Sequence, residues 1–462
     1  MPAQFMFAEA LKRLPPAPQP VAVDEYRERQ MRLVQQIRTD DLFLLAAPEE
    51  AVHSNDVHYR YRSSSDLLYL TGWQDPEATY VLRHDGTSWR SILFVQPKDT
   101  LMEIWEGRRL GTEGALEHHA VDEAYTAHER DQLLSDWLGS AKRVFHRSGA
   151  HASLDRLILE AIERRDRKRQ HFGHGPVTLE DPSPMLAELR LRKSATEIEH
   201  MRWSGKVASI AHELAMRHSH PGVRENHLQS IIEGFFSYAG GEGWSYPSIV
   251  GCGENATILH YTVNNDACGD DEVVLIDAGS EFRGYASDIT RSWPISGSFS
   301  EAQRELYEIV LKAQDAAIDK CRVGEPYTAP HEAARQVLAE GLIQLGVIEQ
   351  SLEEALHPET GELRKWYMHN TSHWIGLDVH DVGVYKPNGE PRALESGMCL
   401  TVEPGLYFGA WRPDVTCPER YANIGIRIED DVLVTDEGPV VLTADCPKTI
   451  AEIESIVGSE WN

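Results

Sequence analysis

Hydrophobic residues in the first third of the chain fall in short runs between turn residues, and DLFLLAA (41–47), DLLYLTG (66–72), ATYVLRH (78–84) and WRSILFV (89–95) each read as a strand. A helical stretch near 24–38 precedes them, and LPPAPQP (14–20) before it cannot continue a helix and is expected to be extended. LDRLILEAIERRDRKRQ (154–170) has helical period, and its basic end reads as a solvated face. VTLEDPSPM (177–185), with two prolines and no periodicity, is the best boundary. Beyond it, Ser194-Ala-Thr-Glu197 has capping-box spacing, and Ile198, Met201, Val207, Ala211 and Leu214 continue near helical period. Another helix over about 225–239 stops at Gly240-Gly241, and from 245 short strands dominate, interrupted by helices around 300–322 and 328–345. The pattern predicts an α/β N-terminal domain over 1–180 and a larger α+β domain over 181–462.

Length and charge narrow the function. At 462 residues one ordinary core is too small, and a net charge of −28 argues against nucleic acid or an anionic membrane as partner. No apolar run reaches the length of a membrane span, and MPAQFMFAEALKRLPPAPQP lacks the basic start, apolar core and cleavage site of a signal peptide. The six cysteines are scattered, without a CxxC pair or a dense framework, so a reducing cytoplasm is expected.

Two motifs invite readings that their surroundings weaken. GCGENA (251–256) has the form GxGxxA, with Asp277 about where a ribose-binding acid belongs, yet ILHYTVNNDACGDDE after it reads as strand and turn and opens no helix. HELAM (212–216) begins like HExxH, but Met216 stands where the second histidine must be, so an ordinary helix surface is expected.

VVLIDAG (273–279) and YASDITR (285–291) carry the more informative pair. A hairpin centred between Phe282 and Arg283 would set Asp277 opposite Asp288, where like charges repel unless something positive lies between them. MCLTVEPG (398–405) ends a strand on Glu403, and GIRIEDDVLV (425–434) sends Arg427 and Glu429 to one side and Ile426 and Ile428 to the other. MHNTSHWIGLDVHDVG (368–383) holds His369, His373 and His380 in a turn-rich stretch. Four carboxylates with an imidazole suit two divalent ions such as Mn²⁺, with Zn²⁺, Co²⁺ or Mg²⁺ as other candidates.

ILHYT (258–262), LIDAG with YASDITR, SHWIGLDVHDVG (372–383), LTVEPGLY (400–407) and GIRIEDD (425–431) resemble the pita-bread metallopeptidases, specifically the bacterial Xaa-Pro aminopeptidase (aminopeptidase P) family. YRSSSDLLYLTGWQDPEA (61–78) and EIWEGRRLG (103–111) extend the resemblance through the N-terminal domain. It implies that Asp288 and Glu429 bridge two metals, Asp277 completes one site, and His373 and Glu403 complete the other. His260, His369, His380 and Arg427 would line the pocket, and Glu403 would also relay a proton. Implied too are removal of a first residue that precedes proline, a homodimer or homotetramer, and a Trp105 that reaches a neighbouring subunit's active site. A dipeptidase of the same fold shares the five ligands, and a metal-free binding module is a more distant alternative. Asn370-Thr371 departs from the Gly-Leu usual in the family, which makes the wall beside His369 more polar.

Overall fold

A computed structural model describes residues 3–168, 171 and 175–460. The chain forms two compact units, Pro20–Arg190 and Met1–Gln19 with Leu191–Asn462.

In the smaller unit a six-stranded mixed sheet runs Glu123–Thr126, Trp89–Val95, Thr79–His84, Asp41–Ala46, Arg143–Phe145, Thr178–Glu180. Its central strands are buried on both faces, which explains their nearly unbroken apolar runs. Leu42, Leu44, Val81, Ile92 and Phe94 pack against Leu134 and Leu138 of helix Arg130–Ser140 and Leu154, Leu157 and Ile158 of helix Ala152–Lys168. DLLYLTG is not a strand. Ser65–Thr71 is a helix, capped by Ser64, whose side chain accepts from the Leu67 amide, and ended by Gly72 at φ 71°. Short and buried all round, it shows no period by which to tell it from a buried strand.

Residues expected in the N-terminal domain at its very start belong to the larger unit instead. Phe7 packs edge-on to Phe235 at 5.4 Å, and Arg13 pairs with Glu213 at 2.7 Å. Helix Ala195–His218 opens on the expected capping box, with Glu197 N–H donating to Ser194 Oγ and Ser194 N–H to Glu197. Its HELAM segment is not a surface. His212 is fully buried and its Nε2 is 3.0 Å from the carbonyl oxygen of Ala278, so the segment supports the strand that ends in Asp277. GCGENA forms the end of strand Ile249–Cys252 and a 3₁₀ turn, Gly253–Thr257, and no α-helix starts there.

The hairpin also differs in register. Val273–Asp277 pairs antiparallel with Thr290–Pro294, so Asp277 faces Thr290 rather than Asp288. The turn is two residues, Arg283-Gly284, at φ 52° and 82°, flanked by the pair Phe282 and Tyr285. Two central residues with positive φ match the right-handed strand twist, and centring the turn one residue later than expected moves the partner of Asp277 by two, from 288 to 290. Gly279 follows from the same crossing, since a Cβ there would lie 1.7 Å from the carbonyl oxygen of Ser287. The scattered-cysteine reading needs a correction as well: Cys252 and Cys268, with Cα atoms 5.4 Å apart, form a disulfide, while Cys321, Cys399, Cys417 and Cys446 are free.

Candidate metal centre

The strands of the larger unit deliver acids to one cavity of about 730 Å³. Strand Val273–Asp277 ends at Asp277, and Asp288 lies where its partner strand breaks before Thr290. Strand Cys399–Val402 leads to Glu403, whose amide donates to the carbonyl of Thr371 at 2.9 Å, while Thr401 N–H donates to the carbonyl of His373 at 2.9 Å. Those two bonds hold the histidine segment in register beside the acid. Glu429 N–H donates to the carbonyl of Thr290 at 3.1 Å, tying the last acid to the first hairpin.

All nine residues expected at the site line this cavity: Asp277, Asp288, Glu403, Glu429, His260, His369, His373, His380 and Arg427. Donor atoms of Asp288, His373 and Glu429 lie within 4.8 Å of one another. His373 Nε2 stands 3.5 Å from Asp288 and 3.6 Å from Glu403. Asp277 is held differently, by Arg427 at 2.5 Å and by the Tyr246 hydroxyl at 2.6 Å, and the same hydroxyl contacts Asp288. The two acids, not paired with each other in the hairpin, thus meet at a tyrosine oxygen. His369 Nε2 is 2.8 Å from the Tyr407 hydroxyl, and the His373 and His380 rings are 4.4 Å apart, edge to face. His260 and His380 are exposed at the cavity.

Burial and mutual repulsion dominate the electrostatics. Desolvation, then Asp277, pushes Asp288 up to about 6, and desolvation pushes Glu403 up to about 7 despite His373 and Arg427. Glu429 is driven well above the carboxylate range by burial and by Asp288 and Glu403. His373, although buried, is raised to about 9 by Asp288 and Glu403. His369, buried beside Arg427, is pushed down to about 3. Four acids sharing little positive charge in a dry pocket are a hard-oxygen donor set with a charge deficit, which divalent cations fit in number and chemistry.

Tyr246, Tyr327 and His331 also line the cavity, and the buried Tyr407 bonds two of its lining residues, His369 and Arg427; none of the four was singled out in the sequence. Tyr407 was visible only as the last residue of LTVEPGLY, and the others carry no motif signal. Their positions depend on loops and on helix Ala329–Gln344, which packs against helix Glu301–Ile318.

The sequence profile of metallopeptidase family M24 matches residues 199–436, and that of the aminopeptidase P N-terminal domain matches 26–145. The chain belongs to metallopeptidase family M24. Among M24 relatives, Xaa-Pro aminopeptidase of Escherichia coli K12 is 41% identical over 439 residues, covering 95% of this chain and 98% of the relative. Human Xaa-Pro aminopeptidase 3 is 34% identical over 93% of this chain and 84% of its own length. Two solved M24 structures superpose at TM-score 0.90. One is Pseudomonas aeruginosa aminopeptidase PepP, at 38% identity, covering 95% of this chain and 98% of that one. The other is zinc-substituted E. coli aminopeptidase P with product, at 40% identity, covering 95% and 99%. The M24 domain here has the pita-bread fold of these enzymes, with an aminopeptidase P-type N-terminal domain before it. No helix among the described residues is long and apolar enough to cross a membrane.

Proposed function

We infer that this M24 metallopeptidase removes the N-terminal residue from peptides with proline in second position. The observation that carries the reading is the convergence of four carboxylates, three of them buried, with His373 in one cavity, in a chain that is similar over nearly its whole length to Xaa-Pro aminopeptidases. In this proposal Asp277, Asp288, His373, Glu403 and Glu429 would hold two divalent cations, with Asp288 and Glu429 serving both, Asp277 one, and His373 and Glu403 the other. Bound there, the cations supply Lewis acidity that lowers the pKa of a water and polarises the scissile carbonyl. Mn²⁺ is the proposed native ion, and Zn²⁺, Co²⁺ and Mg²⁺ share the chemistry the oxygen donors select.

Glu403 would take the water's proton and return it to the leaving proline nitrogen, its carboxylate standing at the cavity 3.6 Å from His373. His260 and His380, exposed at the cavity, donate to the oxyanion, and Arg427 with Tyr246 orients Asp277. An Xaa-Pro bond has no N–H, so peptidases that grip that donor handle it poorly, and a dedicated cavity is useful.

Metal-stripped protein is to be assayed on an Xaa-Pro-Yaa tripeptide and on the matching Xaa-Pro dipeptide, before and after Mn²⁺ is added. Metal-dependent cleavage of the tripeptide supports the reading, and cleavage of the dipeptide alone makes the protein an Xaa-Pro dipeptidase. Asp288→Ala excludes a binding module if it abolishes activity and lowers metal content.

The proposed assembly is a homodimer or homotetramer. Helix Thr100–Glu106 buries none of its residues, and Leu101, Ile104 and Trp105 are 73%, 72% and 84% exposed. In the proposal Trp105 reaches a neighbouring subunit's cavity, and a fully active monomer in light scattering would dismiss it. The proposed location is the cytoplasm, where the Cys252 and Cys268 pair would be a dithiol.

A further inference from the structure

His331 stands outside every motif of the site, in the first turn of helix Ala329–Gln344, and lines the cavity with Thr371 and His369. Its Nδ1 is 2.8 Å from Thr371 Oγ1, and the same oxygen is 2.6 Å from the Tyr367 hydroxyl. Thr371 is fully buried and Tyr367 nearly so.

Proton counting orders these three groups. Tyr367 stays a phenol, because burial raises its pKa well above the usual value, and among the described residues its hydroxyl meets no acceptor besides Thr371. If His331 Nδ1 carried a proton and gave it to Thr371, either the tyrosine or the threonine proton would be stranded, an unmade hydrogen bond on a buried donor. In the one arrangement that strands no buried hydroxyl proton, Tyr367 donates to Thr371, Thr371 donates to His331 Nδ1, and the imidazole proton sits on Nε2. Burial and Arg335 keep the ring neutral, pushed down to about 4, so its charge stays fixed across the working range. Nε2 has no partner among the described residues.

We propose that His331 is a substrate-binding residue whose Nε2–H donates to the carbonyl oxygen of the proline in a bound Xaa-Pro-Yaa peptide, with Tyr367 and Thr371 holding the tautomer. This rests on the aminopeptidase reading. The scissile carbonyl of the first residue belongs at the carboxylate cluster, and the proline nitrogen offers no hydrogen. The next backbone oxygen along the peptide is the proline carbonyl, and a neutral donor outside the acidic cluster suits a neutral acceptor that does not react. Asn370-Thr371 then has a function: Thr371 supplies the hydroxyl that a leucine could not.

The test compares an Xaa-Pro-methylamide, which has the carbonyl, with an Xaa-pyrrolidide, which lacks it, on Mn²⁺-loaded enzyme. Wild type is expected to favour the methylamide in kcat/KM by about 3- to 10-fold, the worth of one neutral hydrogen bond, mainly through KM. His331→Phe is expected to erase that preference and His331→Gln, which keeps an N–H donor, to restore part of it. Thr371→Val, nearly isosteric, is expected to reduce it. Side-chain ¹⁵N NMR supplies a readout apart from activity, with the His331 signal showing the Nε2–H tautomer in wild type and a mixture in Thr371→Val. A preference that survives His331→Phe, or an Nδ1–H tautomer in wild type, overturns the proposal. A wild type that cleaves neither compound nor the tripeptide instead brings down the aminopeptidase reading on which it rests.

Discussion

Stripping the cations from the acidic cluster should leave a protein that grows less stable as pH rises from 5 to 8. Asp288 is raised from 3.8 to about 6 and Glu403 from 4.5 to about 7, both in the folded state, so between those values the folded chain binds more protons than the unfolded one. The contribution is fully present below about pH 4 and is lost as pH climbs through 6 and then 7. With a tenfold change in proton affinity equal to about 1.4 kcal/mol, each acid accounts for about 3 kcal/mol. Between pH 5 and pH 8 about one unit remains to be lost for Asp288 and about two for Glu403, so the loss there is about 3 kcal/mol if the two share one proton and about 4 kcal/mol if they act separately. His373, raised from 6.5 to about 9, works in the same direction, its contribution fully present below about pH 6.5 and lost as pH rises toward 9, which adds about 2 kcal/mol to the loss by pH 8. Guanidinium unfolding at pH 5 and pH 8, with and without Mn²⁺, measures the effect, and subtracting the stripped from the loaded protein cancels groups far from the site. The metal's stabilisation should grow by the stated amount toward pH 8, and Asp288→Asn should flatten the slope of the stripped protein. A metal-free protein as stable at pH 8 as at pH 5 would refute the premise that these acids are crowded and dry.

Tyr246→Phe removes the hydroxyl between Asp277 and Asp288 and should cost the metal-free protein about 1.5–3 kcal/mol, as for a hydrogen bond to a charged group, and less once cations are bound; paired thermal melts would reveal the difference. Arg291 is fully buried, pairs with Asp430 at 2.7 Å and donates to the carbonyls of Glu429, Cys446 and Pro447. Arg291→Met should destabilise the larger unit by about 3–5 kcal/mol and weaken metal binding through Glu429; denaturation with metal analysis checks both, and a loss under 1 kcal/mol would contradict the assignment. Thiol titration in denaturant should find four free cysteines in oxidised protein and six after reduction, and six without reduction would mean that Cys252 and Cys268 are unbridged.

The sequence alone determined the elements with strong period or strong caps, and the chemistry of the site. Helix Ala195–His218 could be read from Ser194 and Glu197 because a capping box is a local hydrogen-bond exchange. The acids Asp277, Asp288, Glu403 and Glu429 could be read because each interrupts or ends a strand-like run, where a carboxylate needs a reason. Tertiary structure decided what depends on groups distant in the chain. Ser65–Thr71 could not be told from a strand because burial on nearly every side removed the period that distinguishes the two, and it is a helix held between the Ser64 cap and the left-handed Gly72. The hairpin register turned on the two-residue Arg283-Gly284 loop, whose left-handed backbone is visible only in the fold. Tyr246 meets the acids, and His331 meets Thr371 and Tyr367, only after strands and helices far apart in sequence have packed. No local pattern records such a meeting, because the energy that holds it comes from burial and shared protons rather than from the neighbours of any one residue.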